Sequence, residues 1–139
     1  MDWSYVSGFF DGEGNIHVNK ITNKQGKIKS YQVVVRFYNT NMAALVAIRD
    51  FLCSGRIYKS KAKNTDDKVY ELCILPKNIV KEVLANLQKS CIVKQDKIKF
   101  ILENYDFGRS NNSKFDLNAF HALSDRKNVN KFYTNKEFI

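Results

Sequence analysis

Val6-Ser7-Gly8-Phe9-Phe10-Asp11-Gly12-Glu13-Gly14 joins a short apolar helix to two carboxylates at the point where the helix must stop. Residues 3 to 10 carry no charge and hold Trp3, Tyr5, Val6, Phe9 and Phe10, with Ser4 and Gly8 one turn apart and Gly12 a further turn on. A row of small residues lets a second backbone come close, because glycine has no Cβ to hold it off. Gly12 and Gly14 are expected to supply the conformations that end the helix. Asp11 and Glu13 then sit at the negative end of the helix dipole, where an acid is unfavourable unless a positive charge compensates. A stretch that breaks local propensity in this way marks a site.

Spacing removes two other readings of the string. Asp11, Glu13 and Asn15 follow the alternating oxygens of a calcium loop, but its sixth position is Ile16 rather than glycine and its twelfth is Thr22 rather than glutamate. A membrane dimer helix needs an uncharged run of about 18 residues, far more than is present. An ordinary core helix ending in a polar turn stays compatible with the bare Asp-Gly-Glu-Gly string.

Composition narrows the partner. The 139 residues suit one domain, 1–139, with 44% hydrophobic and 13% aromatic content, which fits a folded chain and not a disordered one. A net charge of +9 and a pI near 9.5 favour a polyanionic partner. Basicity alone leaves ribosomal, membrane-surface and DNA-binding roles open. No signal peptide, spanning segment or strongly amphipathic basic helix is visible, so no membrane partner is expected. Cys53, Cys73 and Cys91 show neither C-x-x-C spacing nor a histidine cluster, and are expected to be reduced thiols of an intracellular protein. The Asn- and Lys-rich, proline-poor usage suits an organelle (mitochondrion or chloroplast) or a microbial cytoplasm.

Residues 15 to 22 alternate, with Ile16 and Val18 on one side and Asn15, His17 and Asn19 on the other. Asn23-Lys24-Gln25-Gly26 predicts a turn, and the run Y-Q-V-V-V-R-F-Y within residues 30 to 40 predicts the partner strand. Val33, Val35 and Phe37 are assigned to the core, which puts Gln32, Val34, Arg36 and Tyr38 on the opposite face. Thr40 or Asn41 caps a helix through Leu45, Val46, Ile48, Arg49 and Leu52 that Gly55 ends. Residues 56 to 61 and 68 to 75 form a second hairpin across the loop Ala62 to Asp67. Pro76 opens a helix with Ile79, Val80, Val83, Leu84 and Leu87 as its apolar stripe. Helical spacing resumes from Lys94 to Tyr105. Gly108 to Ser113 reads as a linker, Asp116 caps a short helix through Leu117, Phe120 and Leu123, and the last dozen residues are polar.

A sheet of about four antiparallel strands can bury one face under helices and leave the other polar. The open set is then Asn15, His17, Asn19, Gln32, Arg36, Tyr38, Tyr58, Ser60 and Glu71, with Lys24, Lys27 and Lys29 at the hairpin tip. Such a ribbon has the width to enter a major groove, where Arg reads guanine and Asn or Gln reads adenine. Tip lysines would contact phosphate. A merely solvated sheet face gives the same alternation.

The nonapeptide resembles the LAGLIDADG motif of homing endonucleases: glycine stands in third place, the string closes on Asp-Gly-acid-Gly, and apolar residues lie between. The order helix, hairpin, helix, hairpin, helix over residues 3 to 105 is similar to the α-β-β-α-β-β-α core of that family. L-C-S-G-R-I resembles its leucine-x-x-glycine approach to the third strand, and V-K-Q-D-K resembles its lysine-bearing segment before the last core helix.

The resemblance implies an α+β fold with an antiparallel DNA-binding sheet and extra C-terminal helices in residues 106–139. It implies that Glu13 binds a divalent metal, with the Gly12 carbonyl beside it, that Lys94 is the basic residue near the cleaved phosphate, and that Asn39 orders water. Magnesium is the implied ion and manganese an acceptable one. The motif helix packs on its twin in the family, which places Ser4, Ser7, Gly8 and Asp11 at a dimer contact. With one motif per chain, the implied protein is an intron-encoded homodimer that hydrolyses double-stranded DNA at a pseudo-palindromic target. There is one departure: some relatives carry an arginine where this chain has Ala43, and Arg49 or Lys97 would have to replace it. An RNA-splicing maturase acting on intron RNA and a non-catalytic DNA-binding protein are the alternatives on the same fold.

Overall fold

Asp2 starts the chain's first helix, α1 (Trp3–Glu13), by accepting the Tyr5 N–H on its side chain at 2.9 Å. In the computed structural model, which describes residues 1–60, 68–108 and 112–125, the remaining elements follow in the expected order. They are β1 (Gly14–Thr22), β2 (Ile28–Asn39), α2 (Met42–Leu52), β3 (Arg56–Lys59), β4 (Tyr70–Ile74), α3 (Lys77–Gln88), α4 (Gln95–Asn104) and α5 (Leu117–Ala122). The loop Ala62 to Asp67, the middle of the Gly108 to Ser113 linker and the last dozen residues lie outside the described residues.

The four strands form one antiparallel sheet in the order β1-β2-β4-β3. At the first hairpin the Asn23 side-chain oxygen accepts the Gln25 and Lys27 N–H groups, each at 3.0 Å, and Gly26 takes the left-handed conformation (φ 79°). Alternation along β1 and β2 puts Ile16, Val18, Val33, Val35 and Phe37 into the core. On β4 the same face carries Leu72 and Ile74. Helices cover that face. Val6 and Phe10 of α1, Leu45 and Ile48 of α2, and Val80, Val83, Leu84 and Leu87 of α3 join it in a continuous cluster that reaches Phe120 of α5. Phe10 meets Phe37 edge to face, with ring centroids 5.3 Å apart. Tyr105 brings its hydroxyl to the Tyr31 carbonyl at 2.9 Å, so a polar group inside the cluster is satisfied.

Three local details depart from the expectation. Gly12 lies inside α1, which continues to Glu13, so it ends nothing. Gly14 takes an extended conformation that any residue can adopt (φ −108°), and is needed for space: a Cβ there would lie 2.1 Å from Cδ1 of Phe10. Helix α2, capped by Asn41 through the Ala43 N–H at 2.9 Å, stops at Leu52 with Cys53 in the left-handed region (φ 54°), ahead of Gly55. Gly55 (φ 115°) serves the passage into β3, where a Cβ would lie 2.6 Å from the side-chain ends of Leu72 and Ile74. Backbone conformation and crowding both oppose a side chain at 55, whereas at 53 glycine would relieve strain. Gly55→Ala should therefore lose about 1–3 kcal/mol in chemical denaturation, and Cys53→Gly should gain about 1 kcal/mol; equal effects at the two positions would contradict this account.

Candidate active site and nucleic-acid face

Where α1 gives way to β1, the two acids of the motif turn in opposite directions. Glu13 is exposed, and its Oε2 accepts the side-chain amide of Asn39 at 2.8 Å. Asn39 is itself oriented, because its Oδ1 accepts the Asn41 N–H at 2.7 Å ahead of α2. Strand β2 therefore holds the Glu13 carboxylate from one side. The acid opens onto a cleft of about 430 Å³ lined by Gly12, Glu13, Gly14, Asn15, Tyr38, Asn39, Thr40 and Val69.

Asp11 turns inward. Its carboxylate accepts the N–H groups of Ile92 and Lys94, at 2.7 and 3.1 Å, immediately before α4. The compensating positive charge demanded at the end of α1 is thus the positive end of the α4 dipole. Beside it the Cys91 thiol donates to the Ser7 carbonyl at 3.4 Å. Burial first, then the Asp11 carboxylate, push the Cys91 thiol up to about 12, so it stays neutral.

The row expected at a dimer contact divides accordingly. Ser4 and Gly8 are exposed, as is Gly12, and a Cβ built on Gly8 or Gly12 meets nothing within 4 Å among the described residues. Ser7 is 1% exposed and faces the chain's own interior, and the Asp11 carboxylate is spent on α4. Helical geometry explains the split. At about 100° per residue, Ser4, Gly8 and Gly12 follow one slowly drifting line, while Ser7 falls about 60° behind Ser4 and away from it.

Lys94 precedes the first residue of α4, and its ammonium bonds Asp125 just beyond α5. Lys97 reaches the other oxygen of the same acid at 3.3 Å. Burial raises the Asp125 carboxyl, but the two ammonium groups outweigh it and hold it below the usual carboxylate range. Neither replacement for the missing arginine is free of partners. Arg49 lies in the last turn of α2, 3.8 Å from Asp50, away from the Asn39 end of that helix. Lys97 shares Asp125, and lines a hollow of about 220 Å³ with Asn15, His17 and His121.

The sheet face turned away from the core is organised in rows. Tyr38, Glu71 and Tyr58 form one, and Asn15, Arg36, Cys73 and Arg56 the next. His17 opposes Val34, and Asn19 opposes Gln32, toward the tip where Lys24, Lys27 and Lys29 are exposed. Ser60 prolongs the β3–β4 ladder through its N–H to the Val69 carbonyl at 2.7 Å. Arg36 is half-buried between its neighbours, and its Nε meets no hydrogen-bond partner among the described residues. Val34 lies on this face, as its parity predicts, yet is 1% exposed. Arg56 was missed by sequence reasoning, although it shares parity with Tyr58 and Ser60 and lies in the Arg36 row. Asp125 was also missed, and no spacing signal links it to Lys94.

With this geometry in hand, the comparisons with known proteins agree. The family model described as LAGLIDADG endonuclease matches residues 6–102, and the chain belongs to that family. Among solved structures, the homing endonuclease I-CvuI in complex with the I-CreI target superposes with a TM-score of 0.61 at 19% identity, over 73% of this chain and 63% of that one. The archaeal intron-encoded homing endonuclease I-Vdi141I, complexed with DNA, gives 0.60 at 21% identity, over 73% and 64%. The homing endonuclease I-TnaI gives 0.58 at 29% identity, over 74% and 70%. The chain thus spans somewhat under two thirds of the length of I-CvuI and of I-Vdi141I. A comparison with curated protein sequences returned no match.

The environments of the thiols make a direct check of this arrangement. Cys53 is exposed, whereas Cys73 and Cys91 are buried, with burial raising both thiols above their ordinary value. Alkylation of the native protein near neutral pH should label Cys53 alone, with the other two reacting after unfolding; ready labelling of native Cys91 would show that α1 and α4 are not joined as described.

Proposed function

We propose that the chain is a site-specific homing endonuclease that hydrolyses double-stranded DNA as a homodimer, with one Glu13 from each copy at a shared metal centre. The observation that carries this reading is the pairing of a free, Asn39-oriented Glu13 with an open Ser4-Gly8-Gly12 strip on the same helix. Glycines whose missing Cβ atoms would meet nothing among the described residues are accounted for by a second helix laid against them. The solved relatives that superpose on the chain include proteins bound to DNA targets, which supports the same choice.

The donor set tests the metal. Glu13 offers a carboxylate, the exposed Gly12 beside it in the last turn of α1 would offer its carbonyl, and among the described residues no three His, Cys, Asp or Glu side chains gather. That is half of a site. Two copies about a twofold axis would supply two carboxylates and two carbonyls, an all-oxygen set that fits magnesium and tolerates manganese. A divalent ion bound there supplies charge stabilisation for the attacking and leaving oxygens of the phosphodiester. The chain's own groups do the rest. Asn39 keeps the Glu13 carboxylate turned toward the cleft and presents its amide to water there. Lys94, whose backbone N–H is bound by Asp11 of α1, neutralises phosphate charge.

The open sheet face then reads the target. Arg36 and Arg56 suit guanine edges, and Asn15, Asn19 and Gln32 suit adenine. His17, Tyr38, Tyr58, Ser60 and Glu71 complete the polar surface around them. Lys24, Lys27 and Lys29 grip phosphate at the ribbon tip. A twofold protein reads a pseudo-palindromic site.

Cleavage of a plasmid library of intron-insertion sequences in magnesium tests the reading. Wild type should cut a defined site in both strands, Glu13→Gln should be slower by roughly a thousandfold or more, and Asn39→Ala by about 10–100-fold. Glu13→Gln cutting at the wild-type rate would end the proposal. Lys27→Ala should weaken binding evenly across sequences and reduce the salt slope by about one per chain, where a base-reading lysine would instead relax one position of the target.

A further inference from the structure

We infer that Asp125 is a positioning residue for Lys94, so that the segment following α5 completes the basic side of the site. The inference rests on the endonuclease reading, in which Lys94 meets the phosphate, but the contact it invokes belongs to the free chain.

Lysine is a poor fixed charge, because a four-carbon stem lets its ammonium wander. Here the residue is held at both ends. Its backbone N–H is bound at 3.1 Å by Asp11, two residues before Glu13, and its ammonium is bound by Asp125 from the far end of the described chain. The Lys94 and Asp125 side chains are 13% and 17% exposed, so the contact is shielded from water. Lys99 and Glu103 of the same helix make the contrast, at 3.9 Å with both side chains 60% exposed, an arrangement that fixes nothing.

Charge is balanced without being erased. Asp125 is shared with Lys97 at 3.3 Å, so one carboxylate serves two ammonium groups and neutralises neither fully. An ammonium has three donors. One bond to Asp125 sets the direction of the other two. Lys97 also lines the hollow beside Asn15, which itself borders the Glu13 cleft, so the cluster adjoins the proposed site across β1.

The test uses the full chain and begins without DNA. Lysines are acylated with a trace of reagent, and the rate at Lys94 is read by mass spectrometry against Lys99. Asp125→Asn should raise the Lys94 to Lys99 ratio several-fold, and Asp125→Glu should restore most of the protection. Thermal unfolding confirms that each variant is folded. On a duplex that wild type cleaves, Asp125→Asn should lower kcat by about tenfold with KM unchanged. In a Lys94→Met background the same substitution should cause no further loss, because its effect passes through Lys94.

An unchanged labelling ratio overturns the inference, as do losses that multiply in the double variant. Faster cleavage by Asp125→Asn overturns it too, by showing that the carboxylate competes with phosphate. If wild type cuts no better than Glu13→Gln, the endonuclease reading falls instead, and the labelling ratio alone decides whether Asp125 holds Lys94.

Discussion

A carboxylate at the carboxyl end of a helix must find positive charge, and in this chain that demand falls on two acids two residues apart. Asp11 meets it internally, through two N–H bonds at the start of α4. This contact joins the first helix to one that begins more than eighty residues later, and the buried Ser7 and Cys91 fill the seam beside it. Glu13 cannot use the same partner, because the turn into β1 sends it to the other side. Among the described residues, its hydrogen-bond partner is the neutral amide of Asn39. The fold thus satisfies one acid and leaves its neighbour exposed at the mouth of a cleft, with no ion pair among the described residues. A bound cation is the natural complement.

The sheet turns that local arrangement into a surface. Because β1 begins at Gly14, directly after Glu13, its outward residues start at the cleft and run to the hairpin tip. The register with β2 and β4 places Arg36 and Arg56 in one row with Asn15, close to the acid, and the tip lysines at the far end. Groups suited to base edges and groups suited to phosphate are therefore spread along one ribbon, with Glu13 at its base. Asn39 occupies the hinge of this design, at the end of β2, where one side chain touches both Glu13 and the approach to α2.

Period-two and helical spacing carried most of the fold, because the strands bury one face and the helices one stripe. Glu13 was singled out by the resemblance to the LAGLIDADG motif, since the bare string also fits an ordinary core helix ending in a polar turn. What escaped was contact between distant parts of the chain. Asp11 looked like part of a helix contact row, and its partners, the Ile92 and Lys94 N–H groups ahead of α4, leave no periodic trace. Ser7 was misplaced because a one-turn spacing of three residues falls short of a full revolution, which carries it toward the interior. Val34 has the parity of the open face yet is buried, so parity gives direction and not exposure. Arg56 was within reach of the same parity argument that found Tyr58, and Asp125 was within reach of none.

The central claim is that two copies meet through the exposed strip of α1 and bring their Glu13 carboxylates together. Sedimentation of the chain on its target duplex tests it most directly. The account predicts a bound protein mass near twice the 16.1 kDa of one chain, and loss of both that pair and cleavage when Gly8→Leu puts bulk between the helices. One chain per duplex, with Gly8→Leu cutting as wild type does, would contradict it.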